Sequence, residues 1–235
     1  MSAPSWLGIG AQRSGTAWFT GLLTQHPEVG LGTNGKKEQQ LLHRVADGNI
    51  PAEQYLSLFP DDGIKRGDFS PSYLRHPSAG LAVPRLVPDA PIVVLLRDPV
   101  DRFRSAMRLA VTRGKDSLSG TATSLQTWAG YYADQLDLWA AHVGRERFVV
   151  QVYEQVVADP QAGVEAVWSR MGLDPVELTE VDTRSRSSSA PEAEWDWPAG
   201  MQDALRTLYR PQARRLADEW GLDLSGWRSL DSVTD

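Results

Sequence analysis

A chain of 235 residues, 41% hydrophobic and 23% charged, has the composition of an ordinary folded domain, which excludes a disordered or fibrous architecture. A net charge of −6 excludes nucleic-acid recognition through a broad basic face, and the absence of cysteine excludes disulfides and thiolate metal sites. Apolar runs such as Ile92–Leu96 are strand-sized, far below the ~20 residues that span a bilayer, and residues 1–15 lack the features of a secretory signal. One domain over 1–235, a cytoplasmic location, and neither membrane nor nucleic acid as partner are the expectations.

The first predicted element, Trp6 to Gly10, is a short apolar run ending in glycine and reads as a buried strand. A glycine loop follows, then Thr16 to Gln25 carries Trp18, Phe19, Leu22 and Leu23 at helical spacing and is closed by His26-Pro27. Val29 to Leu31 begins a second apolar segment, and the turn "GTNGKKEQQ" leads into a helix predicted over Glu38 to Val45. Lys65 to Tyr73, "KRGDFSPSY", reads as a strand end followed by a proline-broken loop. The strongest strand is "APIVVLLRDP", whose continuous β-branched and leucine run predicts burial on both faces. Asp98 is placed to N-cap the next helix, with Pro99 at its first position.

From Thr127 to His142 aromatic and leucine residues recur at helical spacing, and "RFVVQVYEQV" reads as another strand. Asp159-Pro160 opens a helix through Met171, ended by Gly172. The segment "DTRSRSSSAPEAEWDWPAG" reads as a long loop, and a last helix spans Met201 to Trp220. Strands alternating with helices predict an α/β fold with a central, mainly parallel sheet flanked by helices.

Two motifs carry chemistry. "GIGAQRSGTAW" has the glycine spacing of a Walker A loop between Gly10 and Thr16, without the lysine that reaches the outer phosphates of a nucleoside triphosphate. A strand that delivers such a loop to a helix N-terminus aims backbone N–H groups at one point and makes an anion cradle. Ser14 and Thr16 add hydroxyl donors and Arg13 a guanidinium; a βα turn of small residues has the same outward pattern. In "VVLLRDPVDRFRSAM", Arg97 ends a central strand and Ser105 lies about two turns into the next helix, where both reach one phosphate. Alternatively, Arg97 pairs with Asp98 or Asp101, and Arg102, Arg104 and Arg108 form a solvated face. The four histidines show no paired ligand spacing, so no metal is expected, and no G-x-S-x-G elbow supports a serine hydrolase.

Together these residues resemble the sulfotransferases that use 3′-phosphoadenosine 5′-phosphosulfate (PAPS). "QRSGTAWF" is similar to the family's 5′-phosphosulfate loop, and "RDPVDRFRS" to its 3′-phosphate motif. "HPEVGLGTNGKKEQQLLH" resembles the segment ending in Lys-Glu, "QVYEQVVADPQAGVEAVWSRMGL" the tyrosine strand and following helix, and "LYRPQARRLADEWGLDLSGW" the ending of many bacterial members.

The resemblance implies a three-layer, P-loop-like fold, with PAPS as sulfuryl donor, 3′-phosphoadenosine 5′-phosphate as product and no metal. By the same resemblance Arg13, Ser14, Gly15, Thr16, Ala17 and Trp18 hold the 5′ end, Arg97 and Ser105 the 3′-phosphate, and Tyr153 the adenine side. Arg184, Arg186 and Ser187 belong to a loop that closes on the nucleotide. Arg13 stabilises charge on the bridging oxygen, Glu38 is the general base with Lys37 beside it, and His43 and His76 are reserve bases. Where the glycan-sulfating pattern has a second lysine, this chain has Phe69, with Lys65 or Arg66 as substitutes. The acceptor is a small molecule, natural product or glycan, and Trp128, Tyr131, Tyr132 and Trp139 are either lining for its pocket or core. A P-loop small-molecule kinase and a non-catalytic nucleotide-binding module are the alternatives. Oligomeric state is not encoded in any motif.

Overall fold

A computed structural model describes residues 3–114, 120–179 and 194–230. Strands β1 (Trp6–Gly10), β2 (Val29–Leu31), β3 (Lys65–Phe69), β4 (Ile92–Leu96) and β5 (Phe148–Val152) form one sheet in the order β2-β3-β1-β4-β5. Every adjacent pair is parallel. The connecting helices are α1 (Thr16–Leu23), α2 (Leu42–Ala46), α3 (Ala52–Leu56), α4 (Pro77–Leu86), α5 (Pro99–Thr112), α6 (Gly120–Trp128) and α7 (Tyr132–Val143). Beyond β4's neighbour β5 come α8 (Tyr153–Ala158), α9 (Pro160–Arg170) and α10 (Met201–Asp218).

The continuous apolar strands follow from burial on both sheet faces. Along β4, Ile92, Val94 and Leu96 enter one core with Val83 of α4, Leu136 and Trp139 of α7 and Tyr209 and Leu216 of α10. Val93 and Leu95 enter the other, with Phe19 and Leu22 of α1 and Val164 and Trp168 of α9. Successive side chains of a strand point to opposite faces, so one sheet serves two helical layers. Glycine makes the second core possible: a Cβ at Gly67 would stand 2.2 Å from the Trp6 ring, and one at Gly8 would stand 2.3 Å from Phe69. The two rings thereby pack edge to face at 6.3 Å.

β1 connects toward β2 on one side of the sheet, whereas β4 lies on its other side, so the loops after β1 and β4 meet at a switch in strand order. Parallel α/β sheets bind ligands in the crevice outside such strand ends. The α5 N-terminus is fixed there as expected: Asp98 accepts from Val100 N at 3.0 Å and Asp101 N at 3.4 Å, with Pro99 in the first turn. Asp98 also accepts from Ser229 N at 2.9 Å, tying the C-terminal segment to the same corner.

Four expectations are corrected. The helix predicted over Glu38 to Val45 begins only at Leu42, because Gln40 has φ 53° and the preceding N–H groups are taken by side chains of the β3 loop. The helical pattern from Thr127 to His142 is broken at residues 129–131 between α6 and α7. The strand in "RFVVQVYEQV" stops at Val152, and Tyr153 opens α8. Arg102 is fully buried rather than part of a solvated face. No described helix is long and apolar enough to cross a membrane.

Candidate active site

The loop leaving β1 is fastened to β4 by Ala11 N, which donates to Leu95 O at 2.8 Å. It then passes through left-handed backbone at Arg13 (φ 70°) and Gly15 (φ 79°). Gly15 is the residue before α1, and no side chain caps that helix. The first-turn N–H groups of a helix have no intrahelical acceptor, so an uncapped N-terminus at a strand end is an anion cradle. Ser14 and Thr16 are buried beside it.

Glycine is required here for two reasons, its positive φ and the ring of Tyr153, whose Cε2 would lie 2.5 Å from an added Cβ. Tyr153 also meets Trp18 edge to face at 6.3 Å. A Gly15→Ala variant is therefore expected to lose about 1–2 kcal/mol of stability through left-handed strain alone, with further loss from displacing Tyr153. A urea midpoint lowered by less than the precision of the measurement would contradict this packing.

Arg97, at the end of β4, places its guanidinium 5.2 Å over the Tyr153 ring and donates from Nη1 to Arg13 O at 3.5 Å. Its buried Nε has no hydrogen-bond partner among the described residues, and neither Asp98 nor Asp101 forms an ion pair with it. Ser105 of α5 accepts from Arg13 Nε at 3.1 Å and Nη2 at 2.8 Å. The expectation separates Arg13, toward the sulfuryl group, from Ser105, at the 3′-phosphate. In the structure these side chains are joined, and Arg13 ties the loop after β1 to α5.

Lys37 reaches the same cradle from the β2 side. Its Nζ donates to Thr16 Oγ1 at 3.2 Å and to Glu38 Oε1 at 3.0 Å, and lies 5.2 Å from the Phe69 ring centroid. Burial holds the Lys37 ammonium below its ordinary pKa, opposed by the neighbouring Glu38 carboxylate. The position where the resemblance calls for a second cation is thus a ring with Lys37 over it. Lys65 and Arg66 are not substitutes. Both sit at the opposite end of β3, where Arg66 binds Asp62 at 2.8 Å and Leu31 O at 2.8 Å.

The residues after Glu38 are held by a clamp that sequence reading missed. Asp68, fully buried at the end of β3, accepts from Gln39 N at 3.1 Å and Ser70 Oγ at 2.7 Å on one oxygen. Its other oxygen accepts from Tyr73 OH at 2.8 Å and Tyr55 OH at 3.4 Å. Ser70 Oγ in turn accepts from Gln40 N at 3.0 Å, and Tyr73 OH from Leu41 N at 2.8 Å and Leu42 N at 3.2 Å. Consecutive backbone N–H groups are satisfied without a helix, and Phe69 N donates to Lys37 O at 3.0 Å. The signal in the sequence is an acid, a hydroxyl and a tyrosine in "GDFSPSY", at the end of one strand and just after it. Burial raises the Asp68 carboxyl to about 6, against the lowering effect of these hydrogen bonds.

Among the described residues, the two reserve bases are not bonded to the cradle. His43 and His76 stack on each other at 5.6 Å, and burial, Arg75 and His43 lower the His76 pKa. Tyr132 and Trp139 are fully buried, Tyr132 donating from its hydroxyl to Arg97 O at 3.1 Å, and Trp128 stacks on Tyr131 at 5.8 Å. A cleft of about 570 Å³ opens beside Arg13, between α5 and α6. Arg184, Arg186 and Ser187 lie outside the described residues. Among the described residues, no group of three or more histidine or acidic side chains is arranged to hold a metal ion.

A model of the sulfotransferase family matches residues 55–177. The heparan sulfate glucosamine 3-O-sulfotransferase 6 of Mus musculus is 29% identical over 188 residues, covering 74% of this chain and 53% of that protein. The bifunctional heparan sulfate N-deacetylase/N-sulfotransferase 1 of Caenorhabditis elegans is 26% identical over 166 residues, 63% of this chain and 20% of that protein. The chain thus spans about half the length, or less, of these curated relatives. Among solved structures, a sulfotransferase from Alicyclobacillus acidocaldarius superposes with a TM-score of 0.79 at 22% identity, covering 97% of this chain and 100% of that one. The sulfotransferase domain of the Synechococcus PCC 7002 olefin synthase gives 0.61 at 19% identity, covering 95% and 96%. These likenesses agree with the parallel three-layer fold, and the family match extends over half of the chain, from the helix before β3 to the segment after α9. The chain belongs to the sulfotransferase family.

Proposed function

We propose that the protein transfers a sulfuryl group from PAPS to a hydroxyl of a small-molecule or glycan acceptor, with Glu38 as general base. The observation that carries the reading is Lys37, whose ammonium is bonded both to Thr16 of the anion cradle and to Glu38. A proton acceptor and an anion cradle are thereby held together by one cation.

The residues fit the donor. The uncapped N-terminus of α1 suits a 5′-phosphate held by Ser14, Gly15, Thr16, Ala17 and Trp18. The unpartnered Nε of Arg97 and the hydroxyl of Ser105 suit the 3′-phosphate, with Tyr153 beside the nucleotide. When bound, PAPS supplies the electrophilic sulfur and a phosphate leaving group, and no outer phosphates that a Walker lysine would reach. Glu38 accepts the acceptor's hydroxyl proton as its oxygen becomes nucleophilic. Lys37 and Arg13 present positive charge to the anionic group in transfer, a preorganised field of the kind that dominates such catalysis. Arg13 leaves Ser105 to do so.

Radioactive sulfate supplied on PAPS to a pool of hydroxylated acceptors is expected to appear on acceptor. Phosphate label from ATP reaching the same pool, with none from PAPS, would overturn the reading in favour of a kinase.

A further inference from the structure

The cleft between α5 and α6 has an electrostatic composition that the donor does not explain. Its lining includes three arginines, Arg13, Arg75 and Arg113, and the apolar side chains of Met107, Ala110 and Leu125. No described residue lining it carries a carboxylate. The Nε of Arg75 is buried with no hydrogen-bond partner, and no ion pair reaches this side chain among the described residues. Within electrostatic reach of it, the fully buried Arg102 bonds, among the described residues, to neutral groups: Gln126 Oε1 at 2.9 Å and the Gln126 carbonyl.

One guanidinium fully withdrawn from water and a second partly so are therefore within electrostatic reach of each other in a chain whose formal net charge is −6. Burial and the Arg102 charge both hold Arg75 below its ordinary pKa, and no acid opposes them. Burying an unpaired charge is costly, and a planar guanidinium is most economically satisfied by an oxyanion that takes two of its N–H groups. The wall opposite is apolar, with Leu125 49% exposed to solvent.

We propose that this cleft is the acceptor site and that it takes an amphipathic hydroxylated acid, its anionic head on Arg75 and its apolar body along Met107, Ala110 and Leu125. The hydroxyl to be sulfated then lies at the Arg13 end, beside the donor loop. The inference rests on the sulfotransferase reading for the identity of the reaction, and on the cleft alone for the charge and shape of the acceptor. In transfer the acceptor oxygen forms a bond to sulfur, the bond from sulfur to the 5′-phosphate oxygen breaks, and the hydroxyl proton goes to Glu38.

The test uses 10-hydroxydecanoate and its methyl ester as probes, titrated into the protein saturated with 3′-phosphoadenosine 5′-phosphate, and as acceptors of labelled sulfate from PAPS. The acid is expected to bind roughly 10- to 100-fold more tightly than the ester. Arg75→Met should erase that preference, leave the nucleotide Kd within about twofold and melt no lower than the parent, while Arg75→Lys recovers part of the preference. Equal binding of acid and ester, or a preference that survives in Arg75→Met, overturns the acceptor assignment and leaves the sulfotransferase reading intact. Arg75-dependent binding of the acid by a protein with no affinity for 3′-phosphoadenosine 5′-phosphate overturns the sulfotransferase reading and, with it, the acceptor role.

Discussion

A Glu38→Gln variant is expected to lose turnover by roughly 10²- to 10⁴-fold, the usual contribution of a positioned general base, while its affinity for 3′-phosphoadenosine 5′-phosphate stays within about twofold. Glutamine has nearly the shape of glutamate and keeps an oxygen for the 3.0 Å bond from Lys37. The basicity is removed, and one of the two acceptor oxygens with it. Glu38 also accepts from Gln40 Nε2 at 2.9 Å, so its two oxygens are held by the side chains on either side of the loop. If turnover is instead unchanged in Glu38→Gln and falls in His43→Gln or His76→Gln, the base is in the stacked histidine pair. The geometry argues against that outcome, since neither histidine has a bond to Lys37 or to the cradle. Steady-state kinetics at saturating donor, beside a nucleotide titration, separate the cases.

The second large effect is expected at Asp68, which touches no substrate and acts as a positioning residue. Removing it in Asp68→Ala takes the acceptor from Gln39 N, Ser70, Tyr73 and Tyr55. Each orphaned buried donor costs roughly 1–3 kcal/mol. Against this, the buried carboxylate is itself costly: a pKa raised from 3.8 to about 6 corresponds to about 3 kcal/mol at neutral pH. The lost acceptors outweigh the relieved charge, and a net destabilisation of about 2–5 kcal/mol is expected. With the clamp gone, Lys37 and Glu38 lose their fixed place beside Thr16. A misplacement of about 1 Å commonly costs on the order of 10²-fold in rate, so kcat should fall by about that factor with nucleotide affinity little changed.

The same residue gives a pH signature with a definite sign. Because the folded state binds the Asp68 proton more tightly than the unfolded chain, this group's stabilising contribution is full below pH 4 and is lost as pH rises through about 6. Asp68→Asn cannot ionise and should lack that slope. The difference in urea midpoint between parent and Asp68→Asn is therefore expected to shift between pH 4.5 and 7 in favour of the variant at the higher pH. A difference that is flat across this window would contradict an ionisable, buried Asp68.

The legibility of the molecule was uneven, for physical reasons. β1 and β4 could be read because burial on both faces leaves an unbroken apolar run, and α5 because Asp98 and Pro99 are local signals for a helix start. The sequence analysis assigns no element to residues 77–86: Pro77, Gly80 and Pro84 are poor helix formers, yet Pro77 sits in the first turn of α4 and Pro84 is tolerated where packing against the core decides. The stretch after Glu38 was misread for the reverse reason. Its residues favour a helix locally, but Asp68, Ser70 and Tyr73 lie about 30 positions away and claim its N–H groups. Propensity carries no information about a competitor so distant in the chain. Likewise Arg102 looks like an ordinary surface arginine until α6 closes over it. Of the candidate site, Arg13, Thr16, Arg97 and Ser105 are named by motif spacing and Lys37 and Glu38 by the resemblance alone, whereas the Arg13 bond to Ser105 follows from neither, since each motif on its own gives them separate tasks.

A cradle built for a sulfuryl donor with a 3′-phosphate should prefer the bisphosphate nucleotide to a nucleoside triphosphate. Calorimetric titration of the purified protein with 3′-phosphoadenosine 5′-phosphate, without divalent metal, against ATP with Mg²⁺ tests it without knowledge of the acceptor. Saturable binding of the bisphosphate nucleotide is expected, weakened at least tenfold by Arg97→Met, with ATP binding more weakly. Tighter binding of ATP with Mg²⁺ than of the bisphosphate nucleotide would contradict the account.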